Sequence, residues 1–161
     1  MTSKLLILLA TAGSAAMLAG AFAFQYIGGL APCHLCLLQR WPHAAAVLIG
    51  LVALVLNSGR LVRLLPIAGA AAAATTAGYG IYHTGVERGW WQGPDTCTSG
   101  PVGGVSAGDL LDQIMAAPLI RCDDVAWSMA GLSMASWNAV ISVLLVLIWL
   151  AAYRRARSDQ V

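Results

Sequence analysis

The sequence predicts an all-α fold, a polytopic membrane four-helix bundle with a short amphipathic helix in its second outer loop. The chain is 59% hydrophobic and 10% charged over 161 residues, with mean hydropathy +0.75. Soluble domains carry about 25% charged residues, so this chain cannot make a water-soluble surface. Its charges also leave four long gaps. The intervals between Lys4 and Arg40, Arg40 and Arg60, Arg63 and Glu87, and Asp124 and Arg154 hold 35, 19, 23 and 29 residues. Each can house the ~20 apolar residues that cross a bilayer. Backbone amides in lipid need partners within their own segment, so these stretches are helices. The expectation is one integral membrane domain over 1–161, with spans near 5–27, 38–57, 64–83 and 137–153 and outer loops 28–37 and 84–136.

Cations orient the bundle. Lys4, Arg60, Arg63 and the cluster Arg154, Arg155 and Arg157 fall at three points on one side of a four-pass chain. By the positive-inside rule that side is cytoplasmic and holds both termini. All four cysteines then lie on the opposite side, which agrees with an oxidising compartment such as the bacterial periplasm outside an inner membrane. The net charge of +2 is small, and no nucleic-acid partner is expected.

The first helix runs through Leu5 to Ile27 and carries Gly13, Ser14, Ala15, Ala16, Ala19 and Gly20, small residues that let a neighbour approach closely. Ala21-Phe22-Ala23 imitates a signal-peptidase site, but the apolar stretch exceeds the 7 to 15 residues or so of a signal core. Gly28-Gly29 ends the helix. The second helix has two possible starts. Pro42 cannot donate a backbone hydrogen bond, so the helix either begins there or begins near Cys36 and kinks. Only in the second case do Cys36 and Arg40 share a helical face at i and i+4. Asn57-Ser58-Gly59-Arg60 makes a tight turn into the third helix, whose run of alanines with Thr75, Thr76, Gly78 and Gly80 marks a close-packed, central position.

Beyond Glu87 the composition changes to turn signals, Gly93-Pro94, Gly100-Pro101 and Gly103-Gly104, with Trp90-Trp91 suited to the lipid headgroup zone. Within this loop Ser106 and Asp109 form a capping box ahead of Leu110, Leu111, Ile114 and Met115, a short amphipathic helix. The fourth helix spans 137–153, with Trp137 and Tyr153 at the two interfaces.

The cysteines carry the chemistry. In the chain-entropy model a Cys33 to Cys36 bridge closes four residues and stabilises by about 2 kcal/mol, whereas Cys97 to Cys122 closes 26 and gives about 3.5 kcal/mol. The first pair is therefore the poorer brace. It also sits near Arg40, and cations and helix N-termini favour the reactive thiolate, so a redox role is preferred for Cys33 and Cys36. Taken alone, Cys97 and Cys122 fit a bracing bridge or an exchanging one, although Cys97 lies in a polar segment that another protein could reach.

Cys33, Cys36, His34, His43 and His83 offer metal ligands, but no second C-x-x-C or H-x-H pair completes a tetrahedron, and no metal is expected. The three histidines read singly as hydrogen-bonded interface residues. Leu37 after Cys36 excludes haem attachment, and no βαβ pattern surrounds the motif as a thioredoxin domain would need.

Three stretches, Cys33-His-Leu-Cys36-Leu-Leu-Gln-Arg40, Glu87-Arg-Gly-Trp-Trp-Gln-Gly-Pro-Asp-Thr-Cys97, and Arg121-Cys122-Asp-Asp followed by Trp127, make the chain resemble the DsbB family of disulfide-forming membrane oxidoreductases. The resemblance runs the length of the chain. It implies that Cys97 and Cys122 form the disulfide that oxidises a DsbA-like periplasmic thioredoxin-fold protein, with Cys97 forming the mixed disulfide. It further implies that Cys122 exchanges with Cys33, and that Cys36, as thiolate, passes electrons to a membrane quinone, ubiquinone or menaquinone. Arg40 would stabilise that thiolate and the reduced ring's charge, and Met134 would neighbour the ring or simply pack. Two alternatives stand beside this reading: a quinone reductase like vitamin K epoxide reductase, whose C-x-x-C lies toward the final helix, and a non-enzymatic scaffold with bracing disulfides.

Overall fold

A computed structural model describes residues 2–56, 60–94 and 121–158. Among them are four helices, α1 (Ser3–Tyr26), α2 (His34–Val55), α3 (Arg60–Glu87) and α4 (Met134–Ser158), and a small hairpin of β1 (Ser128–Met129) and β2 (Leu132–Ser133). All four helices are long and apolar enough to cross a membrane, α3 over Leu64–Glu87. The protein is a multi-pass four-helix membrane bundle. The expected amphipathic helix at 106–115 and Cys97 lie outside the described residues.

Each helix packs on two others around a ring, α1 on α2, α2 on α3, α3 on α4 and α4 back on α1. The α3–α4 contact is the most extensive, so α3 is one corner of a square rather than a central helix. Away from the cysteines the core is built from Ile7, Ala10, Ala53, Ala70, Ala73, Leu145, Trp149 and Ala152. Small residues admit the large ones: a Cβ on Gly69 would lie 2.6 Å from the Trp149 ring, and one on Gly50 would overlap the Thr11 side chain. On α1 the buried residues are Ile7, Ala10, Thr11 and Ser14, and Gly13 lets Leu145 of α4 approach, a Cβ there lying 2.6 Å from its side chain.

Helix boundaries differ from the expected ones: α3 begins at Arg60 rather than 64, α4 runs on to Ser158 rather than 153, and three further differences have a local reason. α2 starts at His34, not 38, because Cys33 caps it: the sulfur accepts the Cys36 N–H at 3.1 Å and the Cys33 carbonyl accepts the Leu37 N–H at 3.1 Å. Pro42 therefore sits inside a continuous helix, and Cys36 and Arg40 do share a face. α3 runs one turn past 83 to Glu87, because Thr84 and Glu87 bond Ser136 and Ser133 at the start of α4. α4 begins at Met134 rather than 137, with the Ser133 hydroxyl accepting the Ser136 N–H at 3.1 Å in the usual N-cap fashion. The hairpin is an addition to the all-α expectation. Its two turn residues, Ala130 and Gly131, both have positive φ, 52° and 77°, the combination a two-residue hairpin turn requires.

Candidate functional site

The site is assembled at the cysteine end of the bundle. α1 ends at Tyr26, the chain turns through Ile27, Gly28 and Gly29, and α2 begins with Cys33 at its cap just after Pro32. From this cap α2 directs Cys36, Gln39, Arg40 and His43, at offsets of 3, 4 and 7 from Cys36, toward one side. All four line a cavity of about 620 Å³ bounded by α1, α2, the ends of α3 and α4, and the segment around Trp127. Its walls are mostly apolar, among them Met17, Leu18, Phe24, Trp127, Met134 and Ile141.

Cys33 is buried and Cys36 half-buried, both as free thiols. Their sulfurs and a His83 ring nitrogen lie within 4.8 Å of one another, with Cys33 Sγ 3.6 Å from His83 Nε2. The hydrogen bond to Cys36, reinforced by burial, pushes the Cys33 thiol well above the ordinary thiol range. Cys122 is 1% exposed and packs in the same cluster as Cys33, Leu35 and Val86, against which Cys36 and Leu38 also lie. It is disulfide-bonded, and neither Cys33 nor Cys36 is its partner. The loop sulfur and the helix-cap dithiol thus meet in one buried patch. His83 ties them together, since its ring reaches both Cys33 and the Cys122 backbone. Next to Cys122, Arg121 pairs with Asp123 at 2.5 Å on the surface and holds that carboxyl below the usual range.

Arg40 is anchored from α1. It donates to Gln25 Oε1 at 2.6 Å, reaches the Ala21 carbonyl at 3.5 Å, and its guanidinium lies 5.0 Å from the Phe22 ring centroid. That leaves a fixed cation at the rim of an apolar space, one helical turn from Cys36. Met134 lines the same cavity. Four of the residues singled out from sequence, Cys33, Cys36, Arg40 and Met134, therefore share one chamber, and Cys122 packs against it.

The sequence reading left out a polar layer behind these residues. Gln39, His43, Thr76, Asn138 and Ser142 are buried and hydrogen-bonded to one another inside the spans. Glu87 lines the cavity, accepts the Ser133 hydroxyl and lies 3.9 Å from His83 Nε2. His43 and His83 are hydrogen-bonded between helices, whereas His34 is exposed. The signal was available: a polar side chain inside a charge-free span is a site candidate in itself, because lipid offers it no partner. His83 also gives Cys33 and Cys36 the third donor that sequence spacing had not supplied. Its polarity matters, however, because Gln39 Nε2 donates to His83 Nδ1 at 2.9 Å and thereby places the ring proton on Nε2, facing Cys33.

A dithiol at a helix cap, a bridged cysteine packed on it and an intramembrane chamber beside both define a membrane-embedded thiol–disulfide oxidoreductase. Comparison with known proteins agrees. The model of the family described as "Disulfide bond formation protein DsbB" matches residues 3–152. Proteins named Disulfide bond formation protein B are similar along nearly their whole lengths. That of Albidiferax ferrireducens is 32% identical over 92% of this chain and 86% of its own. The Verminephrobacter eiseniae protein is 30% identical, over 96% and 88%, and the Marinobacter nauticus protein 29%, over 99% and 97%. No solved structure matches the chain. The chain belongs to the DsbB family, and its role is that of a disulfide-forming membrane oxidoreductase.

Proposed function

We propose that this protein generates disulfides in the periplasm by passing electrons from a DsbA-like thioredoxin-fold dithiol protein to a quinone, ubiquinone or menaquinone, from the bacterial inner membrane with both termini cytoplasmic. The observation that carries the proposal is the meeting of Cys122 with Cys33 and Cys36 in one buried cluster on the wall of an apolar chamber that also holds Arg40.

Each transfer exchanges one disulfide for another. The partner's dithiol is oxidised as the Cys97–Cys122 bridge is reduced, with Cys97, in its polar segment, forming the mixed disulfide. Cys122 then attacks Cys33, the Cys33–Cys36 bond breaks, and Cys36 leaves as thiolate toward the chamber. The packing of Cys122 against Cys33 supports that order, since exchange needs sulfurs in contact. His83 Nε2 lies 3.6 Å from Cys33 Sγ, beside the sulfur that is attacked.

The chamber suits the acceptor. Ligand pockets commonly enclose about 300 to 1,000 Å³, with apolar walls and a few placed polar groups, and this one has 620 Å³, mostly apolar lining and one anchored guanidinium. A quinone bound there would supply an acceptor for two electrons and two protons. Arg40 would hold its oxygen and balance the charge that develops, a role its bonds to Gln25 and Ala21 pre-organise.

Anaerobic stopped-flow mixing of the purified protein with a reduced thioredoxin-fold dithiol protein and a short-chain quinone tests this. Quinone reduction in one-to-one stoichiometry with partner oxidation is expected, and Cys36→Ser abolishes it. Unchanged quinone reduction by that variant would overturn the route.

A further inference from the structure

The polar layer between α2, α3 and α4 is a hydrogen-bonded chain whose direction is set at one end. The Leu35 carbonyl can only accept, and Gln39 Nε2 lies 3.1 Å from it, so the Gln39 amide turns its NH₂ there and its Oε1 the other way. That oxygen is 2.6 Å from Asn138 Nδ2, which also reaches Thr76 Oγ1 at 3.2 Å, while the Thr76 hydroxyl donates to the Gln39 carbonyl at 3.1 Å. Asn138 consequently turns Oδ1 toward His43, and the Ser142 hydroxyl donates to the same oxygen at 3.4 Å. His43 Nε2 sits 2.9 Å from Oδ1, an acceptor, and must carry the ring proton. The other nitrogen, Nδ1, is then a bare lone pair. It is buried and has no hydrogen-bond partner among the described residues, in a side chain 3% exposed that lines the cavity.

A buried acceptor left unpaired is costly, and a donor that arrives with the ligand would relieve that cost. Arg40, three residues earlier on α2 and about 4.5 Å lower along its axis, is donor-only and suits a carbonyl or an oxyanion. His43 Nδ1 suits a hydroxyl. An oxidised quinone has carbonyl oxygens and nothing to give His43, whereas its reduced form carries O–H groups. We propose that His43 Nδ1 accepts a hydrogen bond from a hydroxyl of the reduced ring, so that the cavity binds the hydroquinone more tightly than the quinone. This rests on the chamber being the quinone site. Preferential binding of the reduced form makes the bound couple a stronger oxidant than the same couple free in lipid, in proportion to the affinity ratio.

The full-length protein in nanodiscs, titrated anaerobically with a short-chain ubiquinone and separately with the same compound reduced to its hydroquinone, reports both affinities through quenching of Trp127 and Trp137, which line the cavity. His43→Phe should weaken hydroquinone binding about tenfold, the effect of one buried hydrogen bond, and change quinone binding less than about threefold. Equal losses for the two forms, or none, would overturn the assignment. If the wild-type protein binds neither form, the quinone site itself fails and this inference with it. A second measurement does not depend on the variant folding: ¹⁵N NMR of histidine-labelled wild-type protein should show His43 as the Nε2–H tautomer, its Nδ1 resonance moving when hydroquinone is added. An Nδ1–H tautomer would overturn the assignment.

Discussion

Cys33 and Cys36 are one turn of helix apart, yet the fold makes them different sulfurs. Cys33 closes the N-terminus of α2, buried against Leu35, Val86 and Cys122, and receives the Cys36 N–H. Cys36 is half-buried and faces the chamber. In the reduced protein iodoacetamide should therefore label Cys36 first and leave Cys33 largely unmodified up to about pH 9, the ordinary ionisation range of a thiol, as peptide mass mapping would show. Stability should follow. The folded state favours the protonated Cys33, and an unfolded thiol releases its proton near pH 9.0, so above that pH the unfolded chain binds fewer protons than the folded one. The reduced protein should lose stability as pH rises past 9, while the oxidised form, with no Cys33 thiol to titrate, should not lose this contribution. Denaturation of the two forms at pH 8 and pH 10 measures the difference, and parallel behaviour would contradict the burial of Cys33.

At the scale of the helix, close approach of α3 and α4 sets the frame. Gly69 lies flat against the fully buried Trp149, and Gly80 against the backbone of Ala139. Gly69→Val should push α3 off Trp149 and cost about 1 to 3 kcal/mol, the usual penalty of an overpacked core, read as a lowered midpoint in denaturant titration of the detergent-solubilised protein. The glycine and alanine content made such packing legible in advance, as the charge-free gaps made the four spans legible. What the sequence hid was how helices end. Cys33 and Ser133 both act as N-caps, but a cysteine cap is uncommon and Ser133 is followed by the mixed stretch Met134, Ala135 and Ser136, so α2 and α4 each start three or four residues before their apolar periodicity does. Pro42 likewise argues for a break from sequence alone, whereas in a bundle the neighbouring helices tolerate it. Of the residues the fold brings together, Cys33, Cys36, Cys122 and Arg40 could be singled out in advance because their chemistry is marked in the sequence. The Gln39, Asn138 and His43 layer could not, because its members come from helices 99 residues apart in the chain at the extreme and only the fold reveals that they bond.

Across the whole molecule, the two outer connections of a four-pass chain must converge for sulfur chemistry to pass between them. They do: the short connection delivers Cys33 to the α2 cap, and the long one returns to place Cys122 beside it, with the His83 ring between the two segments. This convergence holds independently of any ligand and predicts a specific product. In the double variant Cys36→Ala, Cys97→Ala each remaining cysteine has lost its own partner, and Cys33 and Cys122 already pack in one buried cluster. Mild oxidation should then join Cys33 to Cys122 nearly completely, and tryptic mass mapping should recover their peptides as one cross-linked species that reductant splits. The control variant Cys33→Ala, Cys97→Ala leaves Cys36 and Cys122. Cys36 is half-buried and only flanks that cluster, so its bridge should form more slowly. Equal rates in the two variants would mean that the outer loops rearrange freely and that their packing does not direct the order of exchange.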